Sequence, residues 1–301
     1  MDGERVVYMS GEIVPESEAK ISIRDRGFVY GDAVFDTTRT FGGKIFRLQE
    51  HLERLFNSLK YMRLDPGMSQ GQISDVTMQV LDANLPLLEE GDDYWVTQRF
   101  TRGVPGGDGP MKPTVIIECT PLPFKVRAAY YRDGLPVITP SVKRTPPEAM
   151  SPRAKMHNYI NTVLADLEVK GQNPDAWAMM LDMNGNIAEG PGSNFFFVKD
   201  GVLMTPGEQY VLGGISRQTA LELAQELSIE TRETNIDMFD AYTADEAFVT
   251  STSFCICPVS TINGTTIGTA GVPGPVTDRL QKAYSGLVGI DIVGQYLARL
   301  E

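Results

Sequence analysis

At 301 residues, 42% hydrophobic and 22% charged, with a net charge of −12, the chain is long enough for one large or two ordinary domains, each with its own core. The acidic surplus disfavours nucleic-acid binding, which needs clustered Lys and Arg against phosphates. No apolar run approaches the ~20 residues of a membrane span, and the start Met1-Asp-Gly-Glu-Arg5 lacks the basic and apolar stretches of a secretory signal, so a soluble cytoplasmic enzyme is expected.

From the N-terminus, Val6 to Met9 and Glu12 to Val14 read as strands around a turn at Ser10-Gly11. Ala33 to Phe41 is a strand, Gly42-Gly43 a turn, and Lys44 to Leu48 the return. Gln49 to Met62 is a helix with Leu52, Leu55, Phe56 and Leu59 on one face. A second helix runs near Ser69 to Ala83, and strands recur at Tyr94 to Thr101 and Thr114 to Cys119. The two prolines of Pro121-Leu-Pro123 follow a completed strand, and the stretch to Asp133-Gly134 reads as a linker. This divides the chain into 1–120, a linker over 121–134, and 135–301. The second part opens on a strand, Leu135 to Thr139, then a helix from about Asn158 to Lys170 stopped by Gly171. Two hairpins follow, with type I′ turn pairs at Asn184-Gly185 and Asp200-Gly201. A helix at Ser216 to Leu227, a strand at Glu246 to Thr250, a hairpin at Asn263-Gly264 and a helix at Val276 to Leu287 complete the pattern. Mostly antiparallel strands with interspersed helices make an α+β fold.

There are two His, His51 and His157, which is poor material for a zinc hydrolase or a Ser-His-Asp triad. GxGxxG and P-loop motifs are absent. Cys119, Cys255 and Cys257 read as buried thiols of a reducing compartment, since Cys255-Ile-Cys257 has the wrong spacing for a CxxC motif. The segment Glu189-Gly-Pro-Gly-Ser-Asn194 puts a carboxylate at the end of an apolar strand, before three Phe. A Glu so placed is partly buried and needs a cationic or hydrogen-bonding partner. Leu212-Gly-Gly-Ile-Ser216 runs straight into a helix, with Ser216 as a natural N-cap. The amides there suit a phosphate, or they belong to a plain loop and cap. The hydroxyls of Thr250-Ser-Thr-Ser253 could serve the same phosphate, or be loop material. A Schiff-base lysine needs a partly desolvated site. Lys155, between small and apolar neighbours, is compatible, although spacing alone does not select it. A buried Glu, a phosphate nest and a lysine together match the needs of pyridoxal phosphate.

With these residues the chain resembles the class IV aminotransferases, the fold-type IV pyridoxal 5'-phosphate enzymes. The likeness spans nearly the whole chain. It is carried by Arg26-Gly-Phe-Val-Tyr-Gly-Asp-Ala-Val-Phe-Asp36, Phe46-Arg-Leu-Gln-Glu-His-Leu-Glu-Arg-Leu55, Glu189-Gly-Pro-Gly-Ser-Asn194, Gly214-Ile-Ser-Arg217 and Gly274-Pro-Val-Thr277. It implies a smaller α/β N-terminal domain and a larger pseudo-barrel C-terminal domain that binds the cofactor. By motif, Lys155 resembles the catalytic Schiff-base lysine, which also moves the proton at the substrate Cα. Glu189 resembles the partner of the pyridine nitrogen. Arg54, Gly214, Ile215, Ser216, Ser251 and Thr252 resemble the phosphate cup. Tyr159 and Asn194 match neighbours of the cofactor ring, and Leu212 the residue packed on its face. Tyr30 and Phe35 match pocket-lining positions, and Arg39, Trp95, Thr97, Arg99, Ser253 and Phe254 complete the expected substrate pocket. The family's dimers imply a homodimer. For Arg54 helical period alone predicts a solvated charge; the resemblance turns it toward the cofactor.

The pattern breaks where substrates are chosen. Branched-chain enzymes typically carry Tyr-x-Arg where this chain has Trp95-Val-Thr97. D-amino acid enzymes place an Arg and a His on the following loop, here Gly103-Val-Pro-Gly-Gly-Asp-Gly-Pro-Met111. (R)-amine transaminases resemble the Arg144-Thr-Pro-Pro147 segment, but usually have His-Ser-Asp in place of Tyr30-Gly31-Asp32. Arg39 and Arg99 are the candidates for a substrate carboxylate. The resemblance implies a transaminase moving an amino group from a small-molecule donor to a 2-oxo acid acceptor by a ping-pong route, with a branched-chain donor favoured over a D-amino acid or (R)-amine. A lyase of the aminodeoxychorismate lyase type and a non-catalytic homologue are the rival readings.

Overall fold

The computed structural model describes residues 3–106, 111–269 and 271–300. It separates into two compact units, Met1–Leu122 with Ala154–Asn158, and Pro123–Arg153 with Tyr159–Glu301. The architecture is α+β, as the sequence pattern predicts.

Unit 1 is built on a sheet with the order β2-β1-β6-β5-β3-β4. Its strands are β1 Val6–Met9, β2 Glu12–Pro15, β3 Ala33–Phe41, β4 Lys44–Ile45, β5 Tyr94–Thr101 and β6 Thr114–Pro121. A short helix, α1 (Arg26–Tyr30), precedes β3; α2 (Leu48–Tyr61) and α3 (Gln70–Asn84) lie between β4 and β5. The central strands alternate. Tyr94, Val96, Gln98 and Phe100 are fully buried, and Gln98 donates to Thr77 of α3, so this face meets the helices. Register pairs Phe35 with Arg99 and Thr37 with Thr97, and Thr97 with Glu118, so these residues share the other face. Helix α3 starts on a capping box: Ser69 Oγ accepts from Gln72 N–H at 3.2 Å, and Gln72 Oε1 accepts from Ser69 N–H at 2.8 Å, a device worth about 1 kcal/mol. Helix α2 has no side-chain cap. It is held by a buried stripe, His51, Leu52, Leu55, Ser58 and Leu59, that includes two polar residues.

Unit 2 follows a sheet path β12-β11-β10-β13-β14-β7-β8, with β9 on β10 and β15 on β14. The strands are β7 Leu135–Ile138, β8 Trp177–Ala178, β9 Glu189–Gly190, β10 Ser193–Lys199, β11 Val202–Thr205, β12 Thr231–Glu233, β13 Glu246–Ser251, β14 Cys255–Ile262 and β15 Thr265–Thr266. The helices are α4 Phe124–Asp133, α5 Ile160–Gln172, α6 Ile215–Glu226, α7 Met238–Thr243, α8 Pro275–Val288 and α9 Gly294–Leu297. Strand β10 is the spine of the core. Phe195, Phe196 and Phe197 have no exposed surface, each worth roughly 1.5–3 kcal/mol of burial. Phe196 stacks on its cross-strand partner Phe248 at 4.8 Å. The Gly274-Pro-Val-Thr277 motif has a structural cause. Buried Glu246 accepts from the Val276 and Thr277 N–H groups, both at 2.8 Å, and from Thr277 Oγ1 at 2.7 Å, so it caps α8 from another strand. A Cβ at Gly274 would stand 2.3 Å from Glu246 Cδ.

Several expectations change. The 121–134 stretch is largely helix α4, because its prolines precede Phe124 and leave the helix body free of them. Gly171 lies inside α5, which ends at an Asn173 C-cap before Pro174. At Asn184-Gly185 only the glycine takes positive φ, so the turn is not type I′. There Asp182 Oδ1 accepts from the Asn184 and Asn186 N–H groups at 2.8 and 2.9 Å, and the side chain shapes the turn. Asp200-Gly201 and Asn263-Gly264 do take positive φ at both residues, as type I′ requires. The three cysteines are buried thiols outside any disulfide, and burial pushes the Cys119 thiol up to about 12.

Candidate active site

In unit 1, Lys155 is fixed through its backbone. Its N–H donates to Ser58 Oγ of α2 at 3.0 Å, and its carbonyl accepts from Phe35 N–H of β3 at 3.0 Å. Met156 bridges antiparallel to Val34, and His157 N–H donates to Ala33 O at 2.9 Å. The Lys155 Nζ stands 4.7 Å from the centre of the Phe35 ring, and the Arg99 guanidinium 5.5 Å from it. Arg99 also donates from Nε and Nη2 to Glu118 at 2.9 and 2.8 Å. Thr97 is bonded to Thr37 at 3.1 Å, while Trp95 is half-buried and Tyr30 exposed.

Arg54 is not a solvated charge. Its side chain is 11% exposed and grips Asp36 with two bonds, Nε to Oδ2 at 2.8 Å and Nη2 to Oδ1 at 2.7 Å. His51 Nδ1 lies 2.7 Å from the same Oδ1. Burial opposes the charge on Asp36, but Arg54 and His51 outweigh it and hold the carboxyl well below the usual range. Burial, against the pull of Asp36, lowers the His51 pKa. An ionised Asp36 only accepts, so the imidazole must present Nδ1–H to it. Helical period missed this because Asp36 comes from β3, a partner that α2's own sequence does not contain.

In unit 2, Glu189 is buried and both its oxygens are engaged. Arg144 Nε donates to Oε1 at 2.8 Å and Leu212 N–H to Oε2 at 2.8 Å. Asn194 Nδ2 donates to Leu212 O at 2.9 Å, so three of the expected residues meet. Arg144 was not among the expected site residues; its only signal is the Arg144-Thr-Pro-Pro147 segment. Ser216 Oγ donates to Ser251 O at 3.0 Å, which joins the first turn of α6 to the end of β13. Gly214, not Ser216, is the N-cap of α6, and Ser216 sits in the first turn. Helix geometry leaves the N–H groups of Ile215, Ser216 and Arg217 without intrahelical acceptors. A Cβ at Gly214 would meet Asn194 Oδ1 at 2.2 Å, so the backbone comes close there only because that residue is glycine. Tyr159 opens α5 as its N-cap.

Two expected pocket residues, Arg39 and Phe254, are engaged in core packing, and Ser253 lies beside Ser251 at 3.3 Å. Arg39 has a 2% exposed side chain and pairs with buried Asp93 at 3.3 Å, so it is unsuited to a substrate. Phe254 is fully buried and packs edge-on against Trp177 at 5.2 Å. Ser253 is buried and accepts a hydrogen bond from Arg127. Of the 103–111 loop, residues 107–110 lie outside the described residues.

A family model for amino-transferase class IV matches residues 33–262. The chain belongs to the class IV aminotransferases. It is 35% identical over 292 residues to the branched-chain-amino-acid aminotransferase of Pseudomonas aeruginosa, covering 95% of this chain and 94% of that one. Among solved structures, the branched-chain aminotransferase of Thermoproteus uzoniensis with norvaline superposes with a TM-score of 0.85 at 28% identity, covering 99% of this chain and 98% of that one. The T.th. branched-chain amino acid aminotransferase with pyridoxamine 5'-phosphate gives a TM-score of 0.84 at 30% identity, covering 95% of each chain. This aminotransferase therefore shares its fold, and about a third of its residues, with enzymes that carry the branched-chain name.

Proposed function

We propose that this chain is a pyridoxal 5'-phosphate-dependent transaminase that passes an amino group from a branched-chain-type donor to a 2-oxo acid by a ping-pong route. Family membership and the names of its relatives support the reaction. The observation that carries the cofactor assignment is Glu189, a buried carboxylate fixed by Arg144 and the Leu212 amide. Each carboxylate oxygen can accept twice, so Glu189 can still receive a pyridinium N–H. When bound, pyridoxal phosphate supplies an electron sink for charge developing at the substrate Cα. Lys155 holds the cofactor covalently and carries the Cα proton. The first-turn amides of α6, that of Ser216 among them, the Ser251 and Thr252 hydroxyls and Arg54 would take the phosphate. Leu212, Tyr159 and Asn194 are the ring neighbours. Tyr30, Phe35, Trp95, Thr97 and Arg99 are the substrate-pocket candidates, with Arg99 for the carboxylate. A homodimer is supported by α5, which exposes Ile160, Val163, Leu164 and Leu167 at the i, i+3, i+4, i+7 spacing of one face.

The decisive experiment adds L-leucine, D-alanine and (R)-1-phenylethylamine separately to holoenzyme and follows its visible absorbance. Bleaching by L-leucine is expected. Bleaching by one of the others alone moves the donor class, and no bleaching by any sinks the transaminase reading for these donors. Lys155→Ala should abolish both the absorbance and turnover while leaving the fold intact; wild-type rates in that variant would remove Lys155 from the mechanism.

A further inference from the structure

Ser58 sits on the buried stripe of α2 between Leu55 and Leu59, and is 1% exposed. An apolar residue would pack there without a polar cost, and a hydroxyl at such a position must be bonded. Its donor is used in an ordinary way: Oγ donates to the Arg54 carbonyl one turn earlier, at 3.0 Å. Its acceptor is used in an unusual way. It receives the N–H of Lys155 at 3.0 Å, from a segment 97 residues away.

We infer that Ser58 is a positioning residue for Lys155, its hydroxyl setting the lysine backbone in register with the helix turn that carries Arg54. The inference rests on the reading of Lys155 as the cofactor lysine. The physical argument runs through the two ends of one peptide. The Lys155 carbonyl is held by Phe35 N–H of β3, and its N–H by Ser58. With a strand on one side and a helix on the other, the backbone cannot translate, and the motion left to the amine is that of its own side chain. Removing the hydroxyl leaves a part-buried N–H without its acceptor, a cost of the kind that drives a backbone shift. A shift of about 1 Å in a reacting group can slow its reaction by about 100-fold. Leu55 and Leu59 would still anchor α2, so the change is confined to placement.

The test uses apoprotein of wild type, Ser58→Ala and Ser58→Thr, with two readouts. The first is amide hydrogen exchange at Lys155, which needs no cofactor. The second is the first-order rate of pyridoxal phosphate capture at saturating cofactor, followed by visible absorbance. Ser58→Ala is expected to lose protection at the Lys155 amide and to capture at least about 10-fold more slowly, and Ser58→Thr, which keeps the hydroxyl, to restore both. Unchanged protection in Ser58→Ala overturns the bond. Lost protection with a wild-type capture rate overturns the positioning role and leaves a merely structural contact. Should Ser58→Ala fail to fold, Ser58→Cys, similar in size but a weak acceptor, takes its place with the same expectations. Borohydride reduction and peptide mapping of the wild-type holoprotein separate the two layers. Cofactor on another lysine removes the reading beneath this inference, and the inference with it; cofactor on Lys155 leaves the Ser58 result to decide.

Discussion

The buried charges Glu189 and Asp36 are explained by partners distant in sequence rather than by their neighbours. Glu189 is held by Arg144, 45 residues away, and Asp36 by Arg54, 18 residues away. Arg144→Met should leave Glu189 with the Leu212 amide as its remaining donor of the two. The expected loss is about 3 kcal/mol, the lower end of the cost of breaking a buried pair, read as a lower melting temperature of the apoprotein. An unchanged melting temperature would show that Glu189 does not depend on the pair. His157 offers a test by pH. Burial, with Arg99 adding to it, lowers its pKa to about 4. The unfolded chain then binds the proton first, so stability is full above about pH 6.5 and falls as pH drops toward 4. At 1.36 kcal/mol per unit the loss is about 3 kcal/mol. His51, also lowered, acts in the same direction, and Asp36 adds its own loss only below its unfolded pKa. His157→Gln should flatten the decline between pH 6.5 and 4 in denaturant titrations; an unaltered slope would assign it to other groups.

Elements were legible where their signals were local. The hairpins at Asp200-Gly201 and Asn263-Gly264 and the longer strands follow from residues adjacent in sequence, whereas the short β8 and β12 carried no such signal. Helix α4 was hidden because Pro121 and Pro123 advertise a break, yet both lie before its first turn. The N-cap of α6 lies two residues before the expected one, since Ser216 has the right chemistry for a cap but spends its hydroxyl on Ser251 O. The N-terminus of α8 depends on Glu246, a residue of β13. Gly274→Ala would drive a methyl into that carboxylate and disturb its charge-assisted bonds. A loss of about 2–3 kcal/mol is expected, measured by chemical denaturation; a loss below ~0.5 kcal/mol would mean that the carboxylate moves aside without cost.

At the scale of the whole molecule, the exposed apolar stripe on α5 asks for cover that the described residues do not supply. Leu164→Asp places a charge at its centre. On an exposed site it should change the stability of the fold by no more than ~0.5 kcal/mol, while shifting sedimentation from dimer to monomer. A protein already monomeric before the change would end the homodimer proposal. Among the described residues no helix is long and apolar enough to cross a membrane.

The sequence by itself determined the fold class and the family, and by motif it proposed a lysine, a glutamate and a phosphate loop, because these are written in short contiguous motifs. What only the tertiary structure decided is how those groups are held. Arg144 on Glu189, Asp36 on Arg54 and Ser58 on Lys155 are pairings between distant segments, and no local period encodes them. Tertiary structure also decided that Arg39 pairs with Asp93 and that Phe254 packs on Trp177. The cost of leaving a buried charge or amide unpaired selects such partners, and that cost exists only once the chain has folded around them.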